Sequence, residues 1–445
     1  MTVVTIMTSE DITGAISVKV EGLGYSGDGF VKYNEEKFFI PNTLPDETLK
    51  IRFSGSRPEL IEILEPSQNR VSPVCNLFNT CGGCALQHMS LPALLDWKTS
   101  KVANALNGAG FSNLPQPNQY QTSPKTRRRM DFAIQRIPGN IILGLHRRNG
   151  DPVDMQECQL LDERLFNLLP DLREMLSHLG AITGRASLVI NLFDSGADFT
   201  LSTSAALSAS DRMKIADFTQ KHHIPRFSWQ DPKNHIIETV AQTQSVRHTF
   251  QSGVASPPPS AFLQATPDAE EKIVESVLSG LPALNRKDII TELFAGCGTL
   301  TFPLSEKGRV IAFEGESQAA SCLKQASGGK RIESHNRDLM RRPLLPHDLK
   351  STRVVVLDPP YGGASAQMLP LSKSTVSDIV YISCNPTALE KDAAVLKKAG
   401  FSVIDWSVID QFLWSTEVES VITFSRDQKR IKRENSRRTH SAPSH

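Results

Sequence analysis

No run of apolar residues in this sequence approaches the ~18 that a membrane-spanning helix needs, so no membrane association is expected. An export signal is missing too: "MTVVTIMTSEDITG" has no basic cluster ahead of a long apolar stretch, and a cytoplasmic location is expected. Neither sign of charge is in excess, with 49 Lys and Arg against 48 Asp and Glu, so any patch that attracts a polyanion must be local. The seven cysteines form an odd set at irregular spacing, a poor disulfide framework but one that fits metal ligation or catalysis in a reducing compartment. No internal repeat is present.

What is there points to several modules, since 445 residues exceed one ordinary core and about three domains are expected. Residues 11–66 carry short β-rich runs ("AISVKVEGL", "GFVKY", "ETLKIRFSG") punctuated by Gly, Asn and Pro, the pattern of a small OB-like antiparallel barrel. Residues 67–255 open on a cysteine-dense loop and an amphipathic helical stretch, "LPALLDWKTSKVANALNGAG", then turn mostly β, a mixed α+β domain. Pro257, Pro258 and Pro259 mark the next boundary. Over 256–425 helices alternate with short apolar strands, predicting an α/β Rossmann-like parallel sheet. Residues 426–445 carry seven Arg or Lys against two acids and read as a disordered basic tail, able to touch phosphates or simply to aid solubility.

The last domain holds a cofactor pattern. "DIITELFAGCGTLTFPL" runs from strand to Gly-rich turn to helix, with Gly296 and Gly298 letting the backbone approach a ligand closely. The next strand ends in Glu314, 16 residues beyond Gly298, where a carboxylate can accept ribose hydroxyls. Asp338 follows a third strand, placed for an adenine amino group. Asp358 follows a fourth in "VVVLDPPYGG", where Pro359 and Pro360 stiffen the turn. Thr301 stands where a dinucleotide fingerprint has its third glycine, which disfavours a pyrophosphate. The layout is similar to that of a class I S-adenosylmethionine methyltransferase, with a plain tight turn as the alternative for Asp358.

Cys384, in "YISCNPTALEKD", follows the next strand. A cysteine there is commonly a small buried hydrophobe, but the Asn385-Pro386 turn would lift its sulfur toward the cleft. With "ELFAGCGTLTFPL", "VVLDPPYGG" and "TEVESVITFS" in the same order, this stretch resembles the RNA uracil-5 methyltransferase family over nearly the whole chain. The resemblance implies Cys384 as nucleophile at carbon 6 of uracil and Glu419 as the base that removes the carbon-5 proton. Glu417, two residues away on the same strand face, is told from Glu419 by the family pattern alone. It further implies cofactor contacts from Gln264 of "FLQAT", Phe294 and Thr299, beside Gly296, Gly298, Glu314, Asp338 and Asp358. Thr266 and Thr299 stand where the family often has Asn, and Tyr361 where it has Arg. Asp-Pro-Pro-Tyr is also similar to the motif of exocyclic-amine methyltransferases, which need no cysteine nucleophile, so amine or amide methylation is the alternative, with a non-enzymatic RNA scaffold as a third.

Cys75, Cys81 and Cys84 form C-x5-C-x2-C, with Cys158 following after 73 intervening residues; four thiolates suit zinc or an iron-sulfur cluster. "CGGCALQH" with "ECQLLD" resembles the 4Fe-4S site of the family's ribosomal-RNA branch, and the N-terminal barrel its TRAM module. RNA is the expected partner, ribosomal rather than transfer RNA, bound by a monomer. Arg127, Arg128, Arg129, Arg147 and Arg148 are expected to grip phosphates or stack on bases, with solvated strand edges as the bland alternative.

Overall fold

A computed structural model of the protein describes residues 14–441 apart from 149 and 232. The opening residues read for export, the first three of the expected 11–66 module and the last four of the tail lie outside the described residues. The chain divides into two compact units, one of residues 1–97 with 414–416 and one of 98–413 with 417–445.

The first unit contains β1 (Ala15–Lys19), β2 (Gly22–Leu23), β3 (Gly29–Tyr33), β4 (Glu36–Ile40), β5 (Thr48–Ser54) and β6 (Arg57–Glu65). They pair antiparallel as two three-stranded sheets, β1-β5-β6 and β2-β3-β4. Strand β5 shows why: Leu49, Ile51 and Phe53 alternate with Lys50 and Arg52, so one face is apolar and joins Val20, Val31 and Ile40 in a core. Asn34 and Glu35, both at positive φ, make the tight turn that a two-residue hairpin needs. Buried Glu47 ties the following loop back, accepting from Leu44 N (2.8 Å) and from the Arg70 guanidinium (2.9 Å).

Helix α1 (Leu91–Gly108) and the short β7 (Asn118–Gln121) precede a six-stranded sheet. Its members are β8 (Arg129–Ile137), β9 (Asn140–Gly144), β10 (Arg185–Phe193), β11 (Gly196–Ser202), β12 (Arg226–Gln230) and β13 (Ile237–Gln242), with α2 (Glu163–Phe166) and α3 (Leu169–Ser177) before β10 and α4 (Ala209–Lys221) between β11 and β12. The order is β13-β12-β11-β10-β8-β9, and α4 supplies the crossover that the parallel β11–β12 pair requires. Phe132, Leu188, Phe199 and Phe227 from the strands meet Leu172, Leu176, Ile215 and Phe218 from α3 and α4.

A small hairpin, β14 (His248–Phe250) and β15 (Gly253–Ala255), and helix α5 (Pro267–Ser279) lead into the second sheet. There β16 (Ile289–Leu293), α6 (Thr301–Lys307), β17 (Arg309–Glu314), α7 (Ser317–Ala326), β18 (Ile332–Asn336), β19 (Thr352–Leu357), α8 (Ser365–Lys373), β20 (Asp378–Ser383) and α9 (Pro386–Lys398) alternate as expected. The chain then returns as β21 (Ser402–Asp410) and β22 (Glu419–Ser425), and the full order is β18-β17-β16-β19-β20-β22-β21-β7. Strands β16 to β20 are parallel. Strand β22 inserts antiparallel between β20 and β21, and β7 adds parallel to β21, neither of which the alternating pattern predicts.

Residues 426–445 differ from the expected disordered tail, because they begin as helix α10 (Gln428–Ser441). Asp427 Oδ1 caps its first turn from Lys429 N (2.9 Å), and buried Arg430 docks it, pairing with Asp378 (2.6 Å) and donating to Gly280 O (2.8 Å). Composition counts charges but not the partners that bury them. No described helix is long and apolar enough to cross a membrane.

Candidate active site

The strand order reverses between β16 and β19, and ligands of open α/β sheets bind outside the carboxyl ends at such a point. The expected residues collect along that edge. Phe294, Gly296, Gly298 and Thr299 follow β16, Glu314 ends β17, Asp338 lies two residues past β18, Asp358 follows β19 and Cys384 follows β20.

The turn after β16 is wound tightly. Phe294 (φ 63°), Gly296 (φ 56°) and Gly298 (φ 113°) are all left-handed, a strain that a bulky Phe bears only where the surroundings impose it. A Cβ on Gly298 would collide with the Phe302 ring at 2.5 Å, whereas one on Gly296 would meet nothing within 4 Å. The loop is therefore packed on its inner side and open at Gly296. Glu314 braces it, accepting from Gly296 N (2.7 Å) and Glu316 N (2.7 Å), which leaves carboxylate lone pairs for a ribose. Asp338 Oδ1 accepts from Met340 N (3.0 Å) and Arg341 N (3.2 Å), so its carboxylate is held by its own turn. Open space at Gly296 flanked by these carboxylates fits an adenosine-bearing cofactor.

At the reacting end, Ser383 of β20 pairs with Ser420 of β22, and Ser420 Oγ donates to Ser383 O (3.0 Å). One residue beyond that pair on either strand stand Cys384 and Glu419, so antiparallel register brings them to the same edge. Glu419 is buried; loss of water and the nearby Asp358 charge hold its carboxyl well above the usual range. Its Oε2 accepts from Gln411 Nε2 (3.0 Å), while Oε1 has no hydrogen-bond partner. Burial, with Glu419 and Asp358 adding negative charge, pushes the half-buried Cys384 thiol up to about 12. Asp358 itself is raised to about 7 by desolvation. Burial thus favours the neutral forms of Cys384 and Glu419 over their charged forms. Asn385 secures the turn, accepting from Thr387 N (3.0 Å) and donating to Tyr361 O (3.0 Å), which joins the Cys384 turn to the Asp-Pro-Pro-Tyr loop.

Gln264 is buried, its Oε1 accepting from Gln411 Nε2 (2.8 Å). Gln411 went unnoticed in the sequence, because a glutamine between Asp410 and Phe412 carries no pattern of its own. Glu292 did too. It is fully buried in β16 beneath the Gly-rich turn and pushed up to about 8, and a lone acid inside "DIITELF" was the available signal.

Arg128 departs from its expected RNA-facing role. It is buried, paired with Glu270 (2.7 Å), and its Nε donates to Gln264 O (3.1 Å), so it braces the site from within. Arg127 bonds Arg129 O (3.0 Å) and lies near the Phe412 ring; Arg129 approaches the exposed Phe262 ring; Arg147 and Arg148 are exposed. Cys75, Cys81 and Cys84 lie on the turn-rich loop of the first unit and Cys158 in the second, each half-buried. Among the described residues no three His, Cys, Asp or Glu are gathered as a metal-holding group, and no chemistry is routed through a metal here.

A family model described as tRNA (Uracil-5-)-methyltransferase matches residues 332–427. The chain is 34% identical over 428 residues to an RNA methyltransferase of Brucella suis, covering 95% of this chain and 100% of that relative. It is 26% identical to the 23S rRNA (uracil(1939)-C(5))-methyltransferase RlmD of Shewanella baltica, covering 94% and 97%. Among solved structures, the Pyrococcus abyssi tRNA (uracil-54, C5)-methyltransferase in complex with S-adenosyl-L-homocysteine superposes with a TM-score of 0.67 at 18% identity, covering 92% of this chain and 100% of that one, a likeness of fold.

Proposed function

We infer that this chain, which belongs to the S-adenosylmethionine-dependent RNA uracil-5 methyltransferases, methylates carbon 5 of a uridine in large-subunit ribosomal RNA through a covalent bond to Cys384. The observation that carries the reading is the register that sets Cys384 and Glu419 side by side at the carboxyl edge. Carbon 5 of uracil is too weak a nucleophile to take a methyl group unaided. The Cys384 sulfur, adding as a thiolate after its proton has passed to water, bonds carbon 6 and moves electron density onto carbon 5, which then attacks the methyl carbon. The bound cofactor supplies the methyl group and, as a sulfonium, a positive charge. Gly296, Gly298, Thr299, Phe294 and Glu314 would hold its nucleoside side, with Asp338 toward the adenine and Asp358 and Gln264 toward the reacting end. Glu419 then takes the carbon-5 proton, the ring double bond re-forms, and the Cys384 sulfur leaves.

Ribosomal RNA is preferred to transfer RNA because RlmD matches nearly end to end, and a uridine that must leave its stack favours a loop target. RNA bearing 5-fluorouridine tests the covalent step, since carbon 5 then carries no proton to remove. The expected result is a denaturation-stable protein–RNA adduct with the unaltered enzyme and none with Cys384→Ala; turnover retained in Cys384→Ala would instead favour amine methylation through the Asp-Pro-Pro-Tyr loop. The 4Fe-4S cluster, the TRAM assignment of the 11–66 module and the boundaries at 255 and 425 are proposals supported by sequence pattern alone. Iron and sulfide assayed in anaerobically purified protein test the cluster, and stoichiometric zinc would sink it.

A further inference from the structure

We propose that Gln411 is a positioning residue that decides which oxygen of Glu419 handles the proton and which end of the Gln264 amide is offered to the cleft. This rests on the reading of Glu419 as the base. One backbone group has no choice of role: the Ala265 N–H can only donate, and it meets Gln411 Oε1 at 2.8 Å. The other end of that amide is therefore Nε2, whose two hydrogens are committed to Gln264 Oε1 (2.8 Å) and Glu419 Oε2 (3.0 Å). Gln264 must accept with its oxygen, so its amino group is the end left for a ligand. Glu419 accepts at Oε2, so the proton of its neutral form is favoured at Oε1, the oxygen that the Gln411 amide leaves unengaged. That atom is buried and has no partner.

Both ends of the relay are anchored. Arg128 N donates to Ala265 O (2.8 Å) and Arg128 Nε to Gln264 O (3.1 Å). On the other side Asp410 is held in a fully buried pair with Lys98 and by Gln121 Nε2 (3.0 Å), fixing the strand end from which Gln411 projects. The groups facing Glu419 are Asp358 after β19 and Cys384 after β20, with Glu417 acting on Cys384 and also on Lys101 of α1. Of these neighbours only Gln411 donates a side-chain hydrogen bond to the carboxylate, which favours its ionised form.

Full-length Gln411→Met keeps the bulk and removes the amide. The acid limb of its kcat–pH profile should move upward by about one pH unit, the worth of one hydrogen bond to a charged group. On unmodified RNA near neutral pH the covalent protein–RNA species should accumulate about tenfold over the unaltered enzyme, because its formation precedes the proton abstraction that breaks it down. Its formation rate on 5-fluorouridine RNA should stay within about twofold, a ratio that does not depend on how much of the variant folds. An acid limb left in place, with formation and breakdown slowed alike, overturns the proposal. Glu419→Gln separates the two layers: undiminished turnover there means that Glu419 is not the base, whereas a slow Glu419→Gln beside an unshifted Gln411→Met removes only the role of Gln411.

Discussion

Along the eight-stranded sheet the candidate site residues stand at strand ends, far apart in sequence, whereas at the start of β8 in the six-stranded sheet three arginines stand side by side. Parallel strands deliver their carboxyl ends to one edge, so Gly296, Glu314, Asp358 and Cys384 converge although up to 88 positions separate them. Neighbours along an extended chain diverge instead, because successive side chains point to opposite faces. Arg128 turns inward to Glu270 while Arg127 and Arg129 lie near the rings of Phe412 and Phe262. A cluster in sequence is thus a weaker sign of a shared surface than a set of strand ends.

The contrast sharpens most at Glu419. Glu419→Gln should lower kcat by roughly 10²–10⁴-fold, the usual contribution of a positioned base, read as methyl incorporated into RNA. A loss of only a few-fold would mean that the converging edge does not carry the proton transfer. Arg128→Met should cost about 3–5 kcal/mol in urea unfolding, because Glu270 would keep a buried, uncompensated charge, and Arg128→Met with Glu270→Leu should recover most of that loss. By contrast, Arg147→Ala with Arg148→Ala should leave unfolding unchanged, weaken RNA binding across sequences and flatten its salt dependence by about one unit of slope for each phosphate no longer neutralised. Equal effects of the inner and outer arginines on folding would erase the distinction between them.

Much of the cofactor edge was legible because each piece is a local pattern: glycines after an apolar strand, an acid closing the next, prolines stiffening a third. The inner workings were not. Gln411 gains its meaning from Ala265, Gln264 and Glu419, up to 147 positions away, and no periodicity marks a residue whose partners are that distant. The tail misled for a related reason, since Arg430 is charged like its neighbours yet buried by Asp378, 52 positions earlier.

Chain chemistry by itself offered the candidates: a thiol beside an Asn-Pro turn, two carboxylates in "TEVES", and a glycine turn after an apolar strand. Tertiary structure decided how they are tuned. The antiparallel insertion of β22 next to β20 set Cys384 against Glu419, and burial of both raised the cost of their ionised forms. Solvation depends on everything packed around a group, so it is written nowhere in the few residues that flank it.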